Sequence, residues 1–370
     1  MPRIPTATLV RAYQENSLLP LLLKECRSLD SARNELRWLR ERALRDSPSS
    51  SRLAPGARLG WRTRLRSMCR QRSQGVPLQY ILGDQPFGDL EILCRRGVLI
   101  PRPETESYTY EAARLVRQMA LEGGGNSTDP TSATRPLRIL DLCTGTGCIA
   151  LLLHALLAPH FKHMQIIGID LSPIALNLAR KNLDHNVRRE ALHRRARADI
   201  QFHRADVLGR KASSIPAVEE ILSHYALKSG LADISVPAPR IDLLISNPPY
   251  ISTSDFRNGT TARSVRLFEP RLALVPPVGF MGQDGDRSED VFYRRILDLS
   301  LKVHAQVTVL ECGDIMQADR VVEMHRTMTG GSRCNFNVEV WPTTEQDLAA
   351  HGFHPQDGSR CVIIHGGRDG

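Results

Sequence analysis

The sequence predicts an α/β fold in which a small helical domain precedes a parallel sheet covered by helices on both faces. Three observations lead there. The 370 residues exceed one average domain of roughly 100–200 residues. The first 85 read as helical and basic. After Pro136, short apolar runs alternate with segments of helix length, the rhythm of strand–helix–strand units.

In the helical part, Ala32, Leu36, Leu39 and Ala43 recur at spacings of four, three and four, which puts them on one helix face. A serine- and proline-rich loop, Ser47 to Gly56, interrupts, and Trp61 to Arg72 resumes the helical pattern. Three consecutive glycines and two prolines between Gly123 and Pro136 mark the main boundary. The expected division is therefore 1–85 helical, 86–136 connecting, and 137–370 α/β. Strands are expected at Leu137–Leu142, Gln165–Ile169, Ile200–His203, Ile241–Ser246 and Val307–Leu310. Helices are expected at Ile149–Leu157, Pro173–Leu183 and Val291–Val303. Two late runs, Asn335–Trp341 and Cys361–His365, have no helix between them and are expected to pair as a hairpin at the sheet edge. Gly209 to Arg240 lacks a clear period and reads as an insertion.

Apolar residues are 41% and charged residues 24% of the chain, an ordinary globular balance. The longest apolar run, Leu18 to Leu23, contains Pro20 and stops at Lys24, far short of the ~18 residues of a membrane span. The formal charge is +9, with only six lysines among 49 basic residues. Arginine suits planar recognition of phosphate and carboxylate, which would fit nucleic-acid contact through a basic surface. The plainer expectation is a compositional bias spread along the whole chain. The eight cysteines are scattered, and the nearest pair, Cys143 and Cys148, is not a CxxC; no zinc site or disulfide framework is expected, and a reducing compartment fits better than secretion. His351, His354 and Asp357 have ligand-like spacing but no further histidine or cysteine beside them, so no metal is expected.

Directly after the first expected strand of the α/β part come Asp141, Leu142, Cys143, Thr144, Gly145, Thr146 and Gly147, with an apolar helix from Cys148. Glycines at a strand-to-helix turn let the backbone approach a ligand, and the helix N-terminus offers unpaired N–H groups. In an open α/β sheet this is where ligands bind. Gly145, Gly147 and Ala150 alone would also satisfy a dinucleotide fingerprint. The second strand ends at Asp170, followed by Ser172 as N-cap and Pro173 at N1. The third ends at Asp206. Such acids can merely terminate strands; three in order after successive strands point to a ligand, with Asp170 placed for ribose hydroxyls and Asp206 near an adenine. This pattern resembles S-adenosylmethionine-dependent methyltransferases more than nicotinamide enzymes, and the resemblance puts Asp141 and the glycine turn near the methionine moiety.

After the fourth strand the chain reads Asn247, Pro248, Pro249, Tyr250. Two prolines fix φ and lack N–H donors, giving a rigid turn with exposed carbonyls. The Asn247 side-chain oxygen and the Pro248 carbonyl can accept both hydrogens of a planar NH2 group, and Tyr250 can stack on its face. An amide or aryl amine nitrogen is a poor nucleophile; two acceptors orient it for attack on a methyl group and stabilise charge growing on nitrogen. The motif resembles that of methyltransferases acting on adenine N6, cytosine N4 and glutamine amides.

Upstream stand Val76 to Gly83 (VPLQYILG), then Phe87, Gly88 and Leu90, then Gly97 to Glu106 (GVLIPRPETE). These blocks resemble the HemK/PrmC family, the release-factor glutamine methyltransferases, which modify the glutamine of the GGQ tripeptide in class I peptide chain release factors. Further matching positions are Glu269, Pro270, Ala273 and Leu274, then Asp284 and Gly285, Tyr293 and Ile296, Leu310, Glu311, Gly313 and Gln317, and Asp357, Gly358, Arg360 and Val362. The resemblance runs from about Pro77 to the end. It implies a helical N-terminal domain that contacts the release factor, a β-hairpin linker around Phe87 to Val98, and a seven-stranded methyltransferase domain. It also implies S-adenosylmethionine as cofactor, and Asn247 and Pro248 on the glutamine amide with Pro249 in the turn and Tyr250 covering it. Phe87, Arg102 and Glu104 would support the acceptor pocket, although Arg102 and Glu104 could be a plain surface pair. The insertions and the arginine bias point to a eukaryotic, fungal-like mitochondrial member. Arg3, Arg11 and no acid before Glu15 are compatible with matrix targeting. The competing readings are a nucleic-acid adenine N6 methyltransferase, a non-catalytic methyltransferase-fold protein binding ribosome or RNA, and a nicotinamide dehydrogenase.

Overall fold

The computed structural model describes residues 3–47, 60–123, 135–210, 214–228, 240–277, 287–330, 336–342 and 360–366. Most of the Ser47 loop and of the Gly123 linker, along with Asp284, Gly285, His351, His354, Asp357 and Gly358, lie outside these residues. The chain forms two compact units. One takes in Met1–Gln85, Cys94–Arg96 and Thr261–Glu269; the other takes in Pro86–Leu93, Gly97–Thr260 and Pro270–Gly370.

The first unit is built on helices α1 (Thr6–Glu15), α2 (Leu19–Cys26), α3 (Leu29–Arg45), α4 (Trp61–Ser73) and α5 (Leu78–Leu82). The expected face of α3 is the buried one: Ala32, Leu39 and Ala43 are fully enclosed with Leu22, Leu23, Leu65 and Met68. Ser28 caps α3 by accepting from Ser31 N–H at 3.1 Å. Arg72 of α4 grips Glu35 of α3 through two hydrogen bonds of 2.8 and 2.9 Å. The charge is not spread along the chain as expected. This unit holds twenty of the 49 basic but only eight of the 40 acidic residues, a formal +12 that leaves −3 for the other unit. Exposed Arg40 and Arg62 flank the Trp61 ring, at 5.8 and 4.6 Å from its centroid.

A hairpin follows, β1 (Asp84–Phe87) and β2 (Leu90–Leu93), which belongs to the second unit from Pro86 on, and the chain continues with α6 (Pro103–Gly123) and β3 (Leu137–Leu142). Then follow α7 (Cys148–Leu157), β4 (Met164–Asp170), α8 (Pro173–Arg188), α9 (Ala196–Asp199), β5 (Ile200–Arg204), α10 (Val218–Lys228), β6 (Leu243–Ser246) and α11 (Thr253–Asn258). After α12 (Arg263–Phe268), which belongs to the first unit, come α13 (Val291–Lys302), β7 (Val307–Cys312), α14 (Ile315–Met328), β8 (Phe336–Trp341) and β9 (Arg360–Gly366). Seven strands form one sheet in the order β5-β4-β3-β6-β7-β9-β8. The first five are parallel, and β9 runs antiparallel to both β7 and β8. The late strands do pair, but β9 lies inside and β8 is the edge.

Both faces of the sheet are apolar, as a helix-covered parallel sheet requires. Leu137 and Ile139 of β3 enter one core cluster with α7 residues, while Leu140 and Leu142 enter the other with α13 residues. Helix α7 is apolar but for the buried His154, and burying Leu151, Leu152, Leu153 and Leu157 is worth about 1.5–3 kcal/mol each.

Three expectations need correction. The stretch taken as hairpin and linker, 86–136, contains the 21-residue helix α6, opened by Pro103 and by Glu104 and Glu106 in its first turn. Its enclosed residues Thr105, Tyr108, Thr109, Ala112 and Val116 recur at helical spacing. The hairpin lies earlier than Phe87–Val98, and its β2 edge is satisfied by α8: Leu93 N–H donates to Asn182 Oδ1 at 2.8 Å and Glu91 N–H to Asn186 Oδ1 at 3.0 Å. The Gly209–Arg240 insertion holds α10, whose Val218, Leu222 and Tyr225 are buried at spacings of four and three.

Candidate active site

Strand order reverses between β3 and β6, so the chain departs in opposite directions from their carboxyl ends and leaves a crevice there. A cleft occupies this place. Its floor is the glycine turn, its sides carry Asp170, Asp206 and Asn247, and its walls are Val98 to Pro101, Pro270, Leu272 and Phe292.

The glycine turn is held by its own residues. Cys143 adopts φ 60°, an uncommon conformation for a side-chain-bearing residue. Gly147 N–H donates to Thr144 O at 2.8 Å, and Thr144 Oγ1 donates to Asp141 Oδ2 at 2.5 Å. Gly147 has φ 80°, and a Cβ there would come within 3.0 Å of the Phe202 ring and 3.1 Å of Ala179. At Gly145 a Cβ would meet nothing nearer than 3.9 Å, because it would project into open space. Asp170 accepts from Gly145 N–H at 2.9 Å and Ser172 N–H at 2.8 Å. Burial raises its pKa, against the lowering effect of these N–H donors.

Cys143, Thr144, Gly145, Thr146, Asp170, Asp206, Asn247, Pro249 and Arg102 all border the cleft. Asp141, Gly147, Pro248, Tyr250, Phe87 and Glu104 are not among its lining residues. Asp141 is fully enclosed beneath the turn, where burial lifts its pKa to about 7 against hydrogen bonds from Thr144 and the Ala150 N–H. It shapes the loop from behind. Phe87 is 1% exposed in the core cluster. Asp206 is already engaged, receiving Arg210 Nε at 2.5 Å and Leu208 N–H at 3.1 Å.

At the turn after β6, Asn247 Nδ2 donates to Thr105 Oγ1 at 3.1 Å, and Thr105 Oγ1 donates to Glu311 Oε2 at 2.7 Å. Tyr250 Oη donates to Glu311 Oε1 at 3.3 Å, and its ring lies against Gly313, where a Cβ would come within 3.1 Å of it. Gln317 donates to Tyr250 O at 3.3 Å and accepts from Gly313 N–H at 2.9 Å. The Tyr250 carbonyl and the β7 turn are thereby tied together. Burial drives the Glu311 pKa up to about 7. Thr105 and Gly313 stand in the matching blocks without an expected role, because each acts on residues far away in the chain.

The cleft suits S-adenosylmethionine. Asp170 offers a carboxylate beside a loop whose side-chain-free Gly145 leaves room for close approach, and Val98, Leu99, Ile100, Pro270 and Leu272 give the walls an apolar surface. Among the described residues no cluster of three or more His, Cys, Asp or Glu could hold a metal ion, and no helix is long and apolar enough to cross a membrane.

No family model matches the chain. The mitochondrial MRF1 N(5)-glutamine methyltransferase MTQ1 of Saccharomyces cerevisiae is 38% identical over 275 residues, 74% of this chain and 68% of its own. The probable MRF1 mitochondrial N(5)-glutamine methyltransferase mtq1 of Schizosaccharomyces pombe is 33% identical over 365 residues, 98% of this chain and 96% of its own. A release factor glutamine methyltransferase of Chlorobaculum tepidum is 37% identical over 58% of each chain. Among solved structures, the N-terminal domain of human METTL16 in complex with SAH is 16% identical over 90% of this chain and 94% of that one, at a TM-score of 0.45. With two relatives above 30% identity, each matched over two thirds or more of its length, the chain belongs to the family of release factor N(5)-glutamine methyltransferases.

Proposed function

We propose that this protein transfers the methyl group of S-adenosylmethionine to the side-chain amide nitrogen of the GGQ glutamine in a class I peptide chain release factor. One observation carries the site assignment: Asn247, from the turn after β6, borders the same cleft as Gly145 and Asp170. Donor and acceptor groups therefore share one cavity. The bound donor supplies an electrophilic sulfonium methyl group. Asp170 holds its ribose, and the Cys143–Gly147 turn takes the methionine end. Asn247 Oδ1 accepts a hydrogen of the glutamine amide, which orients its plane and favours charge development on nitrogen, and Pro248, buried behind the lining, holds the turn that presents Asn247. Pro249 stiffens the turn, and Arg102 borders the acceptor end of the cleft. No general base is required, since the methylated amide sheds its proton readily.

The relatives named mitochondrial support a mitochondrial setting, and we place the protein in the matrix. The +12 helical unit is the part suited to docking the release factor, and its exposed arginines are where nucleic-acid contact would fall.

Purified protein given labelled S-adenosylmethionine should label a mitochondrial-type release factor and spare its GGQ Gln→Ala variant and duplex DNA. Label on DNA, or equal label on the Gln→Ala factor, would contradict the proposal.

A further inference from the structure

An asparagine amide places an acceptor and a donor at nearly equivalent positions, and a half-turn about χ2 exchanges them at little steric cost. For an incoming amide NH2 group only one orientation attracts; the other sets N–H against N–H. Something must choose between them.

We propose that Thr105 and Glu311 are a positioning pair that holds the Asn247 amide with Oδ1 toward the substrate, an inference that rests on reading Asn247 as the acceptor-binding group. Thr105 Oγ1 carries one proton and lies 2.7 Å from Glu311 Oε2 and 3.1 Å from Asn247 Nδ2. An ionised carboxylate can only accept, so the threonine proton goes to Glu311, and Thr105 can then only accept from Asn247. Asn247 must present Nδ2 to it, which turns Oδ1 the other way. Thr105 and Glu311 are 4% and 3% exposed, so water has little access to rescue the wrong arrangement. Glu311 is itself fixed by Tyr250 Oη on Oε1 at 3.3 Å and by Tyr293 Oη on its backbone carbonyl at 2.8 Å.

Protonation of Glu311 reverses the logic. A neutral carboxyl can donate to Thr105, whose own proton then turns to Asn247 and draws Oδ1 away from the substrate. Burial raises Glu311 to about 7, opposed by the hydrogen bonds from Thr105 and Tyr250 and by the charge of Arg102, and reinforced by Glu104. The other titratable groups facing it are Tyr108 on α6, Cys148 on α7, Tyr250 after β6, Cys312 on β7 and Cys361 on β9. All five are pushed above their ordinary values by burial, so none of them changes charge near neutrality.

The test is methyl transfer to a mitochondrial-type release factor at saturating S-adenosylmethionine, with the cofactor Kd measured beside it. Thr105→Val should lower kcat by about 100-fold through misorientation alone, leaving the cofactor Kd and the KM for the factor unchanged. Thr105→Ser should restore kcat. Wild-type kcat should rise with pH as Glu311 ionises, and Glu311→Gln, which cannot ionise, should flatten that rise. An unaltered cofactor Kd also shows that the variants fold. Wild-type kcat in Thr105→Val, or a Glu311→Gln profile parallel to wild type, would overturn the pair while leaving glutamine methylation standing. A wild-type protein that transfers nothing to the factor would overturn the acceptor reading, and the positioning pair with it.

Discussion

The two halves of the cleft are built in different ways. On the cofactor side, contacts are shorter in sequence: Thr144 reaches Asp141 three residues back, Gly147 bonds to Thr144, Ser172 bonds to Asp170 two residues back, and the longest, Gly145 to Asp170, spans 25 positions. On the acceptor side they are long: Asn247 to Thr105 spans 142 positions, Thr105 to Glu311 spans 206, and Tyr250 to Glu311 spans 61. A strand-end turn can be specified by the residues that make it. The orientation of one amide at the next strand's end requires α6 and β7 to be delivered beside it by the finished sheet. Damage to one half should therefore leave the other's measurable property largely intact.

The largest separation is expected at Asn247. Asn247→Ala should lower kcat by about 1,000-fold, the scale of losing a preorganised charge-stabilising group, with the S-adenosylmethionine Kd little changed by calorimetry. A parallel loss of cofactor affinity would show that the halves are coupled. The converse is Asp170→Ala, which removes the proposed ribose acceptor and also strands the Gly145 and Ser172 N–H groups. Its cofactor Kd should rise by about 100-fold, as for a buried charged hydrogen-bonding group; an unchanged Kd would remove the ribose assignment. Gly147→Ala asks a smaller question of the same turn. A left-handed φ and a Cβ against Phe202 should cost about 1–3 kcal/mol in thermal unfolding, and an unaffected Tm would mean that the turn yields more than its packing implies. Smallest is Tyr250→Phe, which loses one 3.3 Å hydrogen bond but keeps the ring against Gly313. It should reduce kcat only a few-fold, for about 0.5–1.5 kcal/mol, and a loss as large as that of Asn247→Ala would give the hydroxyl a direct part in the chemistry.

The same division governs what could be read from the sequence. The strands Leu137–Leu142 and Val307–Cys312 announce themselves as apolar runs because both faces of a parallel sheet are buried. The glycine turn and Asp170 are legible because strand ends and turn residues are local features. Helix α6 was hidden by a motif that drew attention to Arg102 and Glu104 as pocket residues, while the buried stripe from Thr105 to Val116 carried the helix. Asp141 is legible as an acid at a strand end but not as one lying under the loop, since a strand residue's face and depth are set by what packs over it. Thr105, Glu311 and Gly313 could be seen only as motif letters. Their work depends on distances of a few ångströms between residues that the sequence keeps far apart.

The most direct test of the account is to locate the methyl group. Wild-type protein and Asn247→Ala are each incubated with S-adenosylmethionine and an intact mitochondrial-type release factor, and the factor's peptides are fragmented by tandem mass spectrometry. The account predicts one added methyl on the side-chain nitrogen of the GGQ glutamine with wild-type protein, and an unmodified peptide with Asn247→Ala. A methyl on any other residue, or undiminished glutamine methylation by Asn247→Ala, would contradict it.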